Sequence, residues 1–247
     1  MNRQLKRVTF VMLLMFLTLF VSTSVIQVVQ ADTLAQNPNN KRALYDSYEV
    51  QRGAILVGGV PIALSVPSTD VYSFQRVYPD GSIWTPVTGY INPILQSSTG
   101  IESAMNNVLS GTAGSQFFSR LERIFTGQAP RGSNVALSLD AAAQAAAVEG
   151  LGDLQGAVLA IEPKTGRILA MASSPTFDAN LLAVHNADEA LASFAQLEGD
   201  ASKPLDNRAI GGNLNPPGST FKLVVAAAAL ASGQYTPDSL LPNPASY

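Results

Sequence analysis

The chain contains no cysteine, so neither a disulfide framework nor a thiolate metal site is available to it. Histidine occurs once, at His185. That excludes a histidine-rich metal centre and leaves one imidazole as a potential base for a nucleophilic serine. Charged residues make up 13% of the sequence, about half the usual share. The net charge of −3 carries none of the basic excess that nucleic-acid binding requires. Internal repeats and low-complexity tracts are also missing. What remains is 247 residues with 47% hydrophobic content, enough for one large domain or two modest ones.

The long apolar run is at the front. Arg3, Lys6 and Arg7 precede an uncharged stretch from Val8 to Gln30, 23 residues that can cross a bilayer as a helix. Basic residues on its N-terminal side predict a cytoplasmic N-terminus with the bulk outside. A signal peptide cleaved after Val29-Gln30-Ala31 is the rival reading. The apolar run exceeds the ~7–15 residues of a signal core, which favours an uncleaved plasma-membrane anchor.

Residues 32 to about 50 are polar and read as a juxtamembrane linker. Strands are then expected over 51–57 and 60–65, joined by a Gly58-Gly59 turn, and over 71–78. Trp84 to Tyr90 is expected to be extended. Helical spacing predicts one helix over 99–109 and an amphipathic one over 115–125 whose Phe117, Phe118 and Phe125 belong to a core. A strand follows over 134–139, then an alanine-rich helix capped by Asp140. From Gly156 the pattern changes. Residues 157–162 and 167–173 form a hairpin around Pro163-Lys164-Thr165-Gly166, residues 174–180 a loop, and 187–197 a surface helix.

The most pointed chemistry lies at Pro216-Pro217-Gly218-Ser219-Thr220-Phe221-Lys222. The prolines cannot continue a helix backwards, and Gly218 frees the backbone before the serine. Leu223 to Ser232 is apolar throughout and predicts a buried helix. Ser219 and Lys222, three apart, then share a face, a nucleophile beside a candidate base. His185 is the rival base, but its place before Asn186 at a helix start suggests a surface or capping residue. Lone Glu102 and Asp178 read as structural, and Arg52 and Arg208 as ion-pair anchors.

From Arg52 to Lys222 the chain resembles the class B penicillin-binding proteins, the peptidoglycan D,D-transpeptidases, with the closest likeness to the actinobacterial penicillin-binding protein A group. The likeness rests on Arg52-Gly53-Ala54-Ile55, on Val87-Thr88-Gly89-Tyr90 with Gly100-Ile101-Glu102, and on Leu137-Ser138-Leu139-Asp140 with Gln144. It continues through Gly156-Ala157-Val158, Pro175-Thr176-Phe177-Asp178-Ala179-Asn180, Asn207-Arg208-Ala209 and the Ser219-to-Lys222 segment.

The resemblance implies an α+β protein. Its parts would be a cytoplasmic tail and membrane anchor at 1–31, a mixed α/β non-catalytic pedestal at 32–150, and the start of a β-lactamase-like serine transpeptidase domain at 151–247. It implies Ser219 as acylated nucleophile and Lys222 as its base, with no metal or organic cofactor. Implied partners are peptidoglycan stem peptides or their lipid-linked precursor, β-lactams, the plasma membrane and a membrane glycosyltransferase of the cell-wall machinery. The family's S-x-N motif is absent. Its K-[ST]-G motif should follow the serine, whereas Lys164-Thr165-Gly166 precedes it and reads as an ordinary turn. The implied expectation is a chain that ends before most of the catalytic domain and is inactive alone. A β-lactam sensor or serine β-lactamase shares S-x-x-K, and a non-catalytic scaffold is a third reading.

Overall fold

The computed structural model describes residues 2–30, 33–34, 50–113, 131–211 and 216–241. Two compact units emerge, Met1–Ile210 and Gly211–Tyr247. The expected helix over 115–125 lies outside the described residues.

The first unit begins with helix α1 (Asn2–Ser24), which continues as a π-helical turn over Val25–Val29. The span Arg3–Val29 is long and apolar enough to cross a membrane, and none of it is buried against protein. Its three threonine hydroxyls are satisfied locally. Thr9, Thr18 and Thr23 donate to the carbonyls four residues back at 3.0, 2.8 and 2.6 Å, as a helix in lipid requires.

Strands β1 (Ile55–Val57), β2 (Val60–Pro67), β3 (Phe74–Val77) and β6 (Val135–Leu137) form one sheet in the order β3-β2-β1-β6. β1 and β2 make the expected hairpin, in register Val57↔Val60. Gly58 and Gly59 turn with φ of +56° and +85°, a conformation costly for side chains with a Cβ. β6 runs parallel to β1.

The stretch expected to be extended after Gly81 is instead helix α2 (Gly81–Thr88). Trp84, Thr85 and Thr88 suggest a strand by composition, and tertiary packing overrides that preference. The Thr85 hydroxyl folds back to the Gly81 carbonyl at 2.6 Å, and Trp84, Thr85, Pro86 and Thr88 are all buried. A short ladder, β4 (Ile91–Asn92) with β5 (Ser97–Ser98), follows. The single helix expected over 99–109 breaks at Met105 into α3 (Gly100–Ala104) and α4 (Asn106–Leu109), because Met105 leaves helical geometry at φ −107°, ψ 21°.

Helix α5 (Ala141–Leu151) starts where Asp140 predicts, with its carboxylate accepting from the Ala143 N–H at 2.8 Å. β7 (Gly156–Ile161) and β8 (Ile168–Ser174) form the expected hairpin. Ala147 and Leu151 of α5 pack on Ala170 and Ala172 of β8, a small second core. The main core gathers Ile55, Ile62, Tyr78, Trp84, Tyr90 and Leu109 with Phe177, Leu182 and Ala183. A 3₁₀ turn (Ala179–Leu182) and helix α6 (Ala187–Gly199) complete the unit.

In the second unit a 3₁₀ turn (Gly218–Phe221) runs directly into helix α7 (Lys222–Ala231). The helix is where expected, but it is not buried. Leu223 is 75% exposed and Val224 and Val225 57% each. Alanine and leucine suffice to set helical conformation, whereas burial needs a packing partner.

Candidate active site

Ser219 and Lys222 sit one turn apart at the start of α7. Pro217 already has near-helical angles, φ −67° and ψ −19°, and Gly218 follows in the left-handed region at φ +53°. Thr220 ties the turn down, with its N–H donating to the Pro217 carbonyl at 3.2 Å and its hydroxyl donating to the same oxygen. Lys222 enters the α-helix at φ −58°, ψ −28°, and its N–H donates to the Ser219 carbonyl. Residues i and i+3 eclipse in a 3₁₀ turn, so the two side chains share one side of it. Both are exposed. Among the described residues no hydrogen bond joins them.

The tempting Lys164-Thr165-Gly166 is the turn between β7 and β8. Gly166 has φ +74°, and its N–H donates to the Glu162 carbonyl at 2.9 Å. The Thr165 hydroxyl donates to the Glu162 carboxylate, as does Arg167 Nε at 3.1 Å. Those two hydrogen bonds, Thr165's first, hold the exposed Glu162 carboxyl below its ordinary range. The motif satisfies itself, as a turn does.

His185 departs from the surface or capping role expected of it. Its side chain is only 6% exposed, and Nδ1 lies 2.6 Å from Asp70 Oδ2. The cap of α6 is its neighbour Asn186, whose side chain accepts from the N–H groups of Asp188 and Glu189.

Arg52 is the expected ion-pair anchor. Its Nη2 and Nε lie 2.8 and 3.1 Å from Glu102 Oε2, and Nη1 donates to Asn106 Oδ1 at 2.7 Å. The other Glu102 oxygen accepts from Arg76 Nε at 2.6 Å. Burial alone would raise the Glu102 carboxyl's pKa, but the guanidiniums of Arg76 and Arg52 hold it below the ordinary range. Tyr78 completes the cluster, with its hydroxyl 3.4 Å from Glu102 Oε1 and accepting from the Ile91 N–H at 3.1 Å. Burial, then the Glu102 charge, pushes this phenol well above its usual value. Arg76 was missed in the sequence. Its signal was spacing: in a strand Arg76 and Tyr78, two apart, share a face.

Arg208 is anchored, but not by an ion pair. Its guanidinium donates to the backbone carbonyls of Ser202 at 2.6 Å and of Pro175, Lys203 and Asp206 at 3.3 Å. Asp178 is structural as expected, accepting from the Asn180 N–H at 2.9 Å and its Nδ2 at 2.8 Å.

A second group that sequence reasoning missed is a set of side-chain amides reaching across the first unit. Asn180 pairs with both backbone groups of Tyr78, at 2.9 and 2.8 Å. Gln144 pairs with both of Met171, at 2.8 and 3.0 Å, and also reaches the Ile83 carbonyl at 3.0 Å. Asn92 bonds the carbonyls of Leu182 and Val184 at 2.6 and 3.0 Å. Among the described residues no cluster of three potential metal ligands exists.

Comparison with known proteins bears directly on this arrangement. Residues 52–135 match the family described as penicillin binding protein A dimerisation domain, and residues 156–247 the penicillin binding protein transpeptidase domain. The chain belongs to the class B penicillin-binding proteins. The chain is 40% identical over 99% of its length to the peptidoglycan D,D-transpeptidase PbpA of Mycobacterium tuberculosis, covering 50% of that protein. It is 41% identical to PbpA of Mycolicibacterium smegmatis over 94% of its length, covering 48% of that relative. A solved structure of M. tuberculosis penicillin-binding protein A, a penicillin G acyl-enzyme complex, superposes with TM-score 0.68 at 40% identity. The match covers 77% of this chain and 44% of that one. The chain therefore spans about half the length of the curated relatives it matches.

Proposed function

We propose that this chain is the membrane-anchored N-terminal part of a peptidoglycan cross-linking enzyme, with an anchor at 1–31, a pedestal at 32–150 and the start of the transpeptidase domain at 151–247. Ser219 is the nucleophile and Lys222 its base. The observation that carries the reading is the Ser219-to-Lys222 turn at the head of α7, within the stretch matching the transpeptidase family. The β-lactamase or sensor alternative is not favoured, since the relatives are D,D-transpeptidases.

The chemistry is acyl transfer. Ser219 Oγ bonds to the carbonyl carbon of the penultimate D-Ala of a stem peptide, and the peptide bond to the terminal D-Ala breaks. The serine proton passes to Lys222 Nζ and on to the leaving amine. An amine of a second stem peptide then bonds to the acyl carbon, the bond to Oγ breaks, and the amine's proton returns through Lys222 Nζ to the serine oxygen, forming the cross-link. The Ser219 N–H, at the positive end of α7, supplies one donor to the oxyanion. A lysine serves as base only when part of it is neutral, which takes surroundings that disfavour its charge.

The N-terminus lies in the cytoplasm and the rest outside, on the strength of Arg3, Lys6 and Arg7 before the apolar span. The exposed apolar anchor and the pedestal are the surfaces open to a membrane glycosyltransferase.

Labelling with a fluorescent penicillin tests the assignment. A version extended to the length of its relatives forms an adduct that persists on denaturing gels, and Ser219→Ala abolishes it. The 247-residue chain alone, with both side chains exposed, forms no stable adduct. An adduct that survives Ser219→Ala would overturn the assignment of the nucleophile.

A further inference from the structure

The chain's single histidine is buried against a loop of the opposite family segment. Loop 68–73 joins β2 to β3 within the dimerisation match, while His185 lies in the transpeptidase match. One backbone bond, Ser68 N–H to the Ser73 carbonyl at 3.0 Å, closes the loop, and Val71 at its tip is 90% exposed. The Tyr72 N–H donates to Asp70 Oδ1 at 2.8 Å, which turns the second carboxylate oxygen toward His185 Nδ1. The Tyr72 ring lies against the imidazole, with centroids 4.7 Å apart.

We propose that Asp70, Tyr72 and His185 form a pH-graded clasp, tighter in acid, that ties loop 68–73 to the segment entering α6. Histidine is the side chain whose charge changes between about pH 5 and 8. Protonated, the imidazole holds Asp70 as a hydrogen-bonded ion pair. Deprotonated, it loses the ion pair and keeps at most an Nδ1–H donated to the carboxylate. The carboxylate is ready throughout this range. Burial raises its pKa, but hydrogen bonds from His185, the Tyr72 N–H and Ser68 outweigh that and hold it below the ordinary aspartate value. From the loop, Asp70 and Tyr72 face the imidazole. On its own segment, Asp188 and Glu189 are the acidic residues of the first turn of α6. Neighbouring contacts to this segment, Gln75 to the Ala183 carbonyl and Asn92 to that of Val184, are uncharged and do not titrate. How firmly the β2–β3 loop is held therefore follows the pH of the surrounding medium.

With one histidine in the chain, its imidazole C–H proton resonance reports on this contact alone. The test is a titration of the complete 247-residue chain in detergent micelles from pH 5 to 8. Asp70→Asn, which keeps shape and removes charge, is expected to displace that resonance at pH 5.5. Backbone amide exchange over 69–73, corrected for intrinsic rates, is expected to slow severalfold from pH 8 to pH 5.5 in the parent chain. That difference disappears in Asp70→Asn and in His185→Gln. An imidazole resonance unmoved by Asp70→Asn at pH 5.5, or loop protection equal at both pH values, overturns the clasp. If His185→Gln fails to fold, the Asp70→Asn arm decides alone, since Asp70 is 40% exposed and its loss leaves the core intact.

Discussion

Glu102 has no exposed surface and holds two guanidiniums, one on each carboxylate oxygen. Removing its charge leaves Arg52 and Arg76 buried without an acid. Glu102→Gln is expected to cost about 3–5 kcal/mol, the usual range for breaking a buried pair on one side, measured by urea unfolding. The pH dependence has a definite sign. The folded Glu102 carboxyl sits below its ordinary value, so its contribution is present above the ordinary glutamate range and fades as pH falls through the depressed folded value. Tyr78 runs the other way. Its phenol is raised, so its contribution is intact below about pH 10 and is lost as pH climbs toward the folded value. Tyr78→Phe should flatten the alkaline limb of a stability–pH curve and leave the acid limb unchanged. The sequence made Arg52 legible as an ion-pair anchor and Glu102 as structural, because each sits in a recognisable motif. Arg76 was hidden because an arginine in an alternating strand looks like its solvent face, and only the three-dimensional sheet shows which face is buried.

At the scale of elements, hairpins and capped helices were readable because their signals are local. Gly58-Gly59 requires a tight turn, and Asp140 caps the helix that follows. Helix α2 was not readable, since its aromatic and β-branched residues argue for a strand and the burial that reverses them is non-local. The same contrast governs the edges of β7 and β8. Along β8, Gln144 takes both outward backbone groups of Met171. Gln144→Ala orphans these and the Ile83 carbonyl, and is expected to cost about 1–3 kcal/mol, read as a lowered urea midpoint. β7 has only β8 as a partner among the described residues, and it exposes Leu159 and Ile161 at 43% and 49%. An apolar strand edge of this kind pairs with other chains. Leu159→Lys should therefore reduce self-association of the 247-residue chain in sedimentation velocity, while Ala157→Ser, which leaves the edge apolar at its centre, should not.

For the molecule as a whole, membership in its family was legible because several short motifs occur in the right order, each weak alone. The exposure of α7 was not legible, because an apolar sequence states a need for a partner without stating that the partner is present. The N-terminal span poses the same question in a form that can be settled. Arg3–Val29 is uncharged after its basic start and none of it is buried, so what it packs against decides its stability as a helix. An uncleaved anchor keeps an N-terminal epitope on the same polypeptide as a C-terminal one and resists carbonate extraction. A cleaved signal releases a chain beginning near Asp32, which loses the first epitope and extracts freely. The anchor should also respond to charge at its centre. Two arginines in the middle of the span, Leu13→Arg with Leu17→Arg, cost about 5–7 kcal/mol of insertion free energy on a translocon scale, which opposes the favourable sum of the remaining leucines, valines and phenylalanines. The double variant is therefore expected to shift from the membrane pellet toward the soluble fraction. The same two leucines changed to isoleucine should leave the distribution where it was. Equal carbonate resistance of the arginine and isoleucine variants would show that the chain is held to the membrane by something other than this helix.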